Sequence, residues 1–289
     1  MIKEIRAKKI LSNSKYPDPW FGIKYNMNIY RGCQHSCIYC DSRSQCYQID
    51  NFEVIHVKIN AVELLKKELQ SKREKGTVGT GSMSDPYIPL EKEFKLTRKA
   101  LKVIAGYHFP VHMITKSDLV VRDKDILQDI NRIYGAVSFT ITTSDDNLAK
   151  KIEPGAPRSS DRFKAMKILA DAGVYTGLTM MPILPFIEDN EDNIRDIVEN
   201  AASHGAKYII PGFGMTLRDR QRAHYYKQLD KLFPEVRKKY EGKYGNQYGC
   251  STNNADELMG KFKELCSKYD IKTRMNKYEG DKSEQLSLF

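Results

Sequence analysis

The chain has 289 residues and a mass of 33.3 kDa, the size of one large domain or two small ones. Hydrophobic residues make up 40% of it and charged residues 29%, which is enough apolar material for a buried core and excludes a disordered protein. The net charge of +10 is concentrated at the ends, with +6 over residues 1–75, −1 over residues 76–215 and +5 over residues 216–289, a distribution that fits either a polyanionic partner or a solubilising surface.

The sequence contains no long apolar segment. Its most apolar stretch, residues 180–187, includes Pro182 and Pro185 and is far shorter than the ~20 residues that cross a bilayer. The first nine residues carry charges where a signal peptide would have its apolar core. We therefore expect a soluble, cytoplasmic protein that is not associated with membranes and whose six cysteines are reduced.

Short β-rich runs alternate with amphipathic helices from residue 24 to residue 211. The predicted strands are 24–30, 78–82, 111–115, 136–142, 175–180 and 207–210, and the predicted helices are one that starts at Asn60 and others near 96–105, 124–133, 161–172 and 191–204. Gly106, Gly135, Gly173 and Gly205 follow the last four helices, where helices commonly end. Six such βα units fit an α/β fold with an incomplete barrel or a doubly wound sheet better than the eight units of a full barrel.

The pattern changes after residue 215. Arg218, Arg220 and Arg222 begin a predicted helix, residues 240–249 are so rich in Gly and Tyr that irregular structure is expected, and a last helix is predicted near 256–269. Basic residues alternate here with Tyr225, Tyr226, Tyr240, Tyr244 and Tyr248. This alternation indicates either aromatic rings that stack on unpaired nucleobases or an amphipathic helix with its tyrosines turned inward.

Three cysteines, Cys33, Cys37 and Cys40, lie close together on the loop after the first predicted strand of the sheet. Clustered thiols in a reducing compartment indicate metal binding. Structural zinc normally takes four ligands, and His35 lies inside the loop without a usual zinc spacing. A [4Fe-4S] cluster held by three cysteines keeps one iron free for an outside ligand. The spacing therefore favours an iron–sulfur cluster over zinc.

This spacing, with Tyr39 directly before the third cysteine, resembles the cluster motif of the radical S-adenosyl-L-methionine (SAM) enzymes, whose fold is a partial (β/α)6 barrel. Further segments, in chain order, resemble the spore photoproduct lyase-like branch, whose members are often called DNA repair photolyases; they are residues 79–87, 114–117, 138–142, 153–157 and 181–185. The resemblance covers about residues 24–215. It divides the chain into a basic segment (1–23), a radical SAM partial barrel (24–215), a basic Tyr-rich extension (216–279) and a tail (280–289).

The resemblance implies two cofactors, a [4Fe-4S] cluster bound by the three cysteines and SAM, together with an electron donor protein as a partner. The contacts with SAM that it implies are Tyr39 beside the adenine, Ser84 and Asp85 at the amino group, Lys116 near the carboxylate and Ser138 near the same ligand. An anionic Asp beside an ammonium group is the expected pairing.

One departure from the lyase is visible. The lyase carries a cysteine at the end of strand two that returns a hydrogen atom to the product radical, whereas residues 81–85 contain none. We therefore do not expect the lyase reaction itself. Cys46, Cys250 and Tyr87 are the alternative donors that the sequence offers.

The last five residues resemble the short peptide by which bacterial DNA polymerases and repair proteins bind the sliding clamp. The resemblance implies that Gln285 enters a polar pocket while Leu286, Leu288 and Phe289 fill a hydrophobic one. Such a contact brings a protein to replicating or repaired DNA.

The predicted function is that of a radical SAM enzyme that cleaves SAM and directs a 5′-deoxyadenosyl radical at DNA. Two alternatives stay open. The same chemistry on RNA or a peptide is the first, and a non-enzymatic, metal-stabilised nucleic-acid-binding protein is the second.

Overall fold

The computed structural model describes residues 1–280, so the clamp-binding-like peptide predicted at the end of the chain lies outside the described residues. The strands are β1 (Ile2–Ile5), β2 (Leu11–Asn13), β3 (Ile23–Met27), β4 (Tyr30–Arg31), β5 (Ile55–Lys58), β6 (Thr77–Thr80), β7 (Val111–Thr115), β8 (Gly135–Thr140), β9 (Tyr175–Ile183), β10 (Ile209–Thr216) and β11 (Gly249–Ser251). The helices are α1 (Ala61–Gln70), α2 (Glu91–Phe94), α3 (Leu96–Gly106), α4 (Lys124–Ile130), α5 (Asp146–Ile152), α6 (Ser159–Asp171), α7 (Glu191–Ser203), α8 (Asp219–Leu232), α9 (Val236–Tyr244) and α10 (Ala255–Lys268). None of the helices in residues 1–280 is long and apolar enough to span a bilayer.

Six parallel strands, in the order β3-β6-β7-β8-β9-β10, form the main sheet. β2 pairs antiparallel with β3, and β11 pairs antiparallel with β10, so these two strands are the edges of an open eight-stranded sheet. A second, three-stranded sheet has the order β1-β5-β4. The six predicted βα units of a partial barrel are therefore confirmed, and the division of the chain at residues 23, 215 and 279 stays a prediction.

The pattern of burial explains why the strand sequences are apolar runs whereas the helix sequences are amphipathic. Every residue of β8 is buried, as expected for a parallel strand covered on both faces. Helix α7 turns one face inward, and its buried residues are Ile194, Ile197, Val198 and Ala201. It begins where the side chain of Asn190 accepts the N–H of Asn193 and ends before Gly205, whose φ of +83° suits glycine.

The structure corrects the prediction for residues 240–249. Helix α9 extends to Tyr244 and β11 begins at Gly249, so the segment is largely regular. Tyr240 and Tyr244 lie one helical turn apart and pack on Phe186, with ring centroids 5.5 and 6.1 Å away. Tyr225 and Tyr226 are buried as well, so these four tyrosines form packing contacts and cannot stack on bases. Of the five predicted rings, that of Tyr248 is 53% exposed.

A buried polar cluster joins three strands of the main sheet. His112 Nε2 of β7 lies 2.7 Å from the hydroxyl of Ser138 in β8, and that hydroxyl lies 2.7 Å from the hydroxyl of Tyr208, which directly precedes β10. All three residues are fully buried. Because burial disfavours the charged imidazolium, the pKa of His112 falls to about 3.

We expect His112→Gln to weaken the loss of stability at acidic pH. Below about pH 6.5 the unfolded chain gains a proton on His112 that the folded chain does not accept until about pH 3, so each pH unit costs about 1.4 kcal/mol. Urea unfolding of the wild type and the variant at pH 7.5 and pH 5.0 measures this. The free energy of unfolding of the wild type should fall by about 2 kcal/mol more than that of the variant. Equal losses in the two proteins would contradict a neutral, buried His112.

Candidate active site

A cavity of about 630 Å³ lies at the carboxyl ends of the parallel strands. Its wall includes the three clustered cysteines and the segments after β6 and β7. The ends of β8, β9 and β10 contribute Thr140, Met181 and residues 212–216. Because parallel strands present their carboxyl ends on one side, segments distant in the sequence meet here. The cavity is within the size range of small-molecule sites.

The loop of residues 32–40, here called the cysteine loop, carries Cys33, Cys37 and Cys40 and is held by its backbone. The hydroxyl of Ser84 donates to the carbonyl of Gly32 (2.6 Å). The N–H of Ile38 donates to the carbonyl of Ile152 (2.9 Å), and the N–H of Gly155 donates to the carbonyl of His35 (2.9 Å). The segments that follow β6 and α5 therefore fix the loop from two sides.

The thiols differ in their electrostatic surroundings. Burial raises the pKa of Cys37 well above its usual value, and Lys116 only partly offsets this effect. Burial also raises the pKa of Cys40. At Cys33, burial opposes ionisation but the neighbouring His35 outweighs it, so the pKa of this thiol is lowered. Binding of a metal centre would have to displace the protons of the Cys37 and Cys40 thiols.

Asp85 connects the cysteine loop to β7. Its carboxylate accepts hydrogen bonds from the hydroxyl of Thr115 (2.7 Å) and from the backbone N–H groups of Lys116 (2.7 Å) and Tyr87 (2.8 Å). Its Oδ2 also lies 3.3 Å from Nδ1 of His35, an ion pair that is not aligned as a hydrogen bond. Burial raises the pKa of Asp85, but His35 and these donors outweigh it and hold it at about 2. Asp85 is thus an anion on the cavity wall whose oxygens already have partners.

A second buried anion, Glu153, lies behind the cysteine loop. Its Oε2 is 2.5 Å from Nη2 of Arg162, and both side chains are buried. The hydroxyl of Tyr39 donates to Oε1, and Nζ of Lys116 is 3.8 Å from the same oxygen. Burial raises the pKa of Glu153, but Arg162 and Lys116 outweigh it, so the net pKa is lowered. Two predicted SAM contacts, Tyr39 and Lys116, therefore share one carboxylate.

The structure brings most of the predicted site residues together. Those that line the cavity are Cys33, Cys37, Tyr39, Cys40, Ser84, Asp85 and Lys116. Ser138 is not among the lining residues, since its hydroxyl is enclosed between His112 and Tyr208. Of the three alternative hydrogen donors, Cys250 lines the cavity, whereas Cys46 and Tyr87 do not.

Sequence reasoning assigned no role to two residues of this site, Glu153 and Arg162, and none to His35 beyond excluding it as a zinc ligand. Glu153 belongs to a segment that the resemblance singled out, and Arg162 lies five residues beyond that segment, but nothing in the sequence indicates that they form a buried pair beside Tyr39. The spacing argues against His35 as a zinc ligand. In the structure His35 is 1% exposed and its imidazole faces the carboxylate of Asp85. The available signal for Glu153 was its position in the connection that follows the predicted strand 136–142, where site residues gather.

The donor set fits a cluster better than a single metal ion. Within residues 1–280, no group of three or more His, Cys, Asp or Glu side chains converges as one bound ion requires. A [4Fe-4S] cluster does not need such convergence, because each cysteine binds a different iron. Three thiols on one wall of a cavity, with space beside them, suit a group of that size.

Comparison with known proteins gives consistent matches. The sequence profile described as the Radical SAM superfamily matches residues 27–201. An uncharacterized protein of Methanocaldococcus jannaschii is 38% identical over 193 residues, which are 66% of this chain and 70% of that protein. The Radical SAM Nalpha-GlyT isomerase of Pseudomonas phage M6 is 23% identical over 72% of this chain, but only 41% of that protein is covered.

Among solved structures, spore photoproduct lyase complexed with dinucleoside spore photoproduct has a similar fold. The TM-score is 0.69 at 17% identity, and the match covers 93% of this chain and 79% of the lyase. At this identity the likeness supports the fold, and the α/β architecture with a mostly parallel sheet agrees with it.

We expect Glu153→Gln to destabilise the protein by about 3–5 kcal/mol, because it leaves the Arg162 guanidinium buried without a counter-ion. Urea unfolding of the cluster-free protein measures the effect. The matched control is Glu63→Gln, which removes an exposed partner of Lys67 and should leave the free energy of unfolding unchanged within error. Similar values for the two variants would show that the Glu153–Arg162 pair does not hold the site.

We expect Gly155→Ala to displace the cysteine loop. An added Cβ would lie 2.0 Å from the carbonyl oxygen of Gln34, and the backbone would have to shift at a cost of about 1–3 kcal/mol. Iron bound per chain after anaerobic reconstitution should fall by at least about half.

The control for this variant is Gly242→Ala in α9, where nothing lies within 4 Å of the added Cβ. It should bind as much iron as the wild type. Equal iron in the Gly155 variant would show that the loop does not depend on this close contact.

Proposed function

This chain belongs to the radical SAM superfamily, and we propose that it uses a [4Fe-4S] cluster to cleave SAM and to direct the resulting 5′-deoxyadenosyl radical at DNA. The observation that carries the proposal is the position of Cys33, Cys37 and Cys40 together on one wall of the cavity. When bound and reduced, the cluster would supply the electron that splits SAM.

The three cysteines would hold the cluster, and neighbouring residues would bind SAM. Lys116 is held near Glu153 and offers a cation to the SAM carboxylate. Asp85 offers an anion to the amino group, although its oxygens also serve His35 and Thr115. The Tyr39 ring faces the cavity while its hydroxyl is anchored on Glu153, which suits a ring fixed beside an adenine. Ser138 stays a prediction from the resemblance alone.

Cavity shape and charge favour a large anionic substrate. The cavity of about 630 Å³ is large enough for a small-molecule ligand, and the net charge of +10 attracts polyanions. The similar lyase structure contains a dinucleoside spore photoproduct, a ligand built from two nucleosides. DNA is therefore our proposed substrate. The reaction type, repair or modification, stays open, since a phage relative is named an isomerase and residues 81–85 lack the donor cysteine of the lyase.

The sliding clamp and an electron donor protein are the further partners that we propose. Both rest on the sequence. The clamp contact would use Gln285, Leu286, Leu288 and Phe289.

We expect reconstituted wild-type protein with SAM and a reductant to release 5′-deoxyadenosine, and Cys37→Ala to reduce this product at least about 100-fold because one cluster ligand is lost. Chromatography of the anaerobic reaction and analysis of iron and sulfide measure both. The matched control is Cys266→Ala in α10, a buried cysteine that does not line the cavity, which should retain product and iron.

The failure of the proposal is defined by the wild type. An iron-loaded wild-type protein that releases no 5′-deoxyadenosine would contradict enzymatic SAM cleavage. Bound zinc with neither iron nor sulfide would favour the non-enzymatic nucleic-acid-binding alternative.

A further inference from the structure

The single tryptophan of the chain, Trp20, lines the cavity and is nevertheless 55% exposed. It lies in the connection between β2 and β3, at one edge of the open sheet. Single exposed aromatic residues are common on protein surfaces, so the position of Trp20 on the cavity wall, and not its exposure alone, makes it a candidate binding residue. None of the SAM contacts proposed above involves Trp20.

The position of Trp20 is fixed by a hydrogen-bonded turn. Oδ1 of Asp18 accepts the N–H groups of Trp20 (3.0 Å) and Phe21 (2.8 Å), and its Oδ2 accepts the N–H of Ile23 (2.6 Å). The turn closes at Gly22, whose φ is +68° and whose N–H donates to the carbonyl of Asp18 (3.0 Å). Phe21 anchors the turn below, with its ring 5.1 Å from that of His112. The hydrogen bonds of this turn therefore hold Trp20 in its exposed position.

The ammonium group of Lys277 contacts this turn, and Lys15 lies in the segment that leads into it, five residues before Trp20. Nζ of Lys277 donates to the carbonyl of Pro19 (2.5 Å), and Nζ of Lys24 donates to the carbonyl of Lys15 (3.4 Å). Lys24 is also paired with Glu74 at 3.3 Å. Within the described part of the chain, neither Lys15 nor Lys277 has an acidic partner within 4 Å. An aromatic face with unneutralised cations beside it matches the base and phosphates of a nucleotide chain.

The rest of the wall favours the same ligand. Met181 and Pro182 of β9 and Phe213 of β10 are apolar residues that line the cavity together with Trp20. The flat ring of a nucleobase can leave water for an apolar surface at little cost in free energy. The phosphates of the same nucleotide would stay in water beside the lysines. A peptide of ordinary composition would use the apolar wall but not the cations.

We propose that Trp20 is the stacking face for a base of single-stranded or unpaired nucleic acid, with Lys15 and Lys277 beside the flanking phosphates. The inference deepens the proposed function and rests on it, because it names the part of the substrate that this side of the cavity receives.

Since the chain contains one tryptophan, its emission reports this site alone. Titration of the reconstituted protein with short single-stranded DNA, with RNA of the same sequence and with an acidic peptide of equal charge tests the proposal. Stacking predicts saturable quenching by at least one of the nucleic acids and none by the peptide. SAM alone should leave the emission unchanged.

Variants separate stacking from a structural role. Trp20→Ala should weaken binding of a labelled strand, measured by anisotropy at fixed salt, about 5- to 100-fold, and Trp20→Phe should restore most of it because a phenyl ring also stacks. Lys277→Ala should reduce the slope of log affinity against log salt by about 1. The matched control is Tyr16→Ala, whose ring is 72% exposed four residues away and does not line the cavity. It should bind as the wild type does.

Formation of 5′-deoxyadenosine without nucleic acid distinguishes the two levels of the proposal. If the wild type cleaves SAM but no strand quenches Trp20, or if Trp20→Ala binds the strand as tightly as the wild type, the stacking inference is overturned while SAM cleavage stands. Quenching by the peptide alone, or by SAM alone, also overturns it. Loss of SAM cleavage in the wild type itself would instead overturn the proposed function.

Discussion

The arrangement of the site depends on the buried ion pair between the carboxylate of Glu153 and the guanidinium of Arg162. The carboxylate lies in a buried position, where an isolated charge would be very costly, and Arg162 supplies the compensating cation. A buried ion pair adds little net stability, because desolvation offsets the attraction. Its consequence is geometric. Oε1 binds the hydroxyl of Tyr39, directly before the last clustered cysteine, and faces the ammonium group of Lys116 on the cavity wall. The carboxylate of Glu153 thus positions both Tyr39 of the cysteine loop and Lys116, which directly follows β7.

The cysteine loop obtains its shape from backbone contacts with segments far away in the sequence. The carbonyl of Gly32 is held by Ser84 and that of His35 by Gly155, residues that follow β6 and α5. A parallel sheet makes this possible, because the segments that follow its strands emerge on one side. Three thiols within eight residues are a local feature of the sequence, but the surfaces that fix them come from the whole sheet.

Features with a local signal could be predicted, and features that depend on contacts between distant residues could not. The six strands were found because buried parallel strands are continuous apolar runs and helices with one buried face repeat every 3.6 residues. The cysteine spacing revealed the site. By contrast, no local pattern indicates that the hydroxyl of Ser138 lies between His112 and Tyr208, which are 26 and 70 residues away. The irregular structure expected near Tyr240 was wrong because Phe186 and other distant rings pack on that side chain. Composition alone does not show such partners.

The fold places the two basic ends of the chain at opposite edges of the main sheet. The first edge strand, β2, belongs to the N-terminal region of charge +6, and the last, β11, belongs to the C-terminal region of charge +5. The nearly neutral middle supplies the strands between them. The two edges of the sheet therefore come from the two basic parts of the chain, and a net charge of +10 attracts anionic ligands over a distance. For the nucleic-acid substrate proposed above, this charge would contribute attraction between phosphates and basic side chains that does not depend on the base sequence.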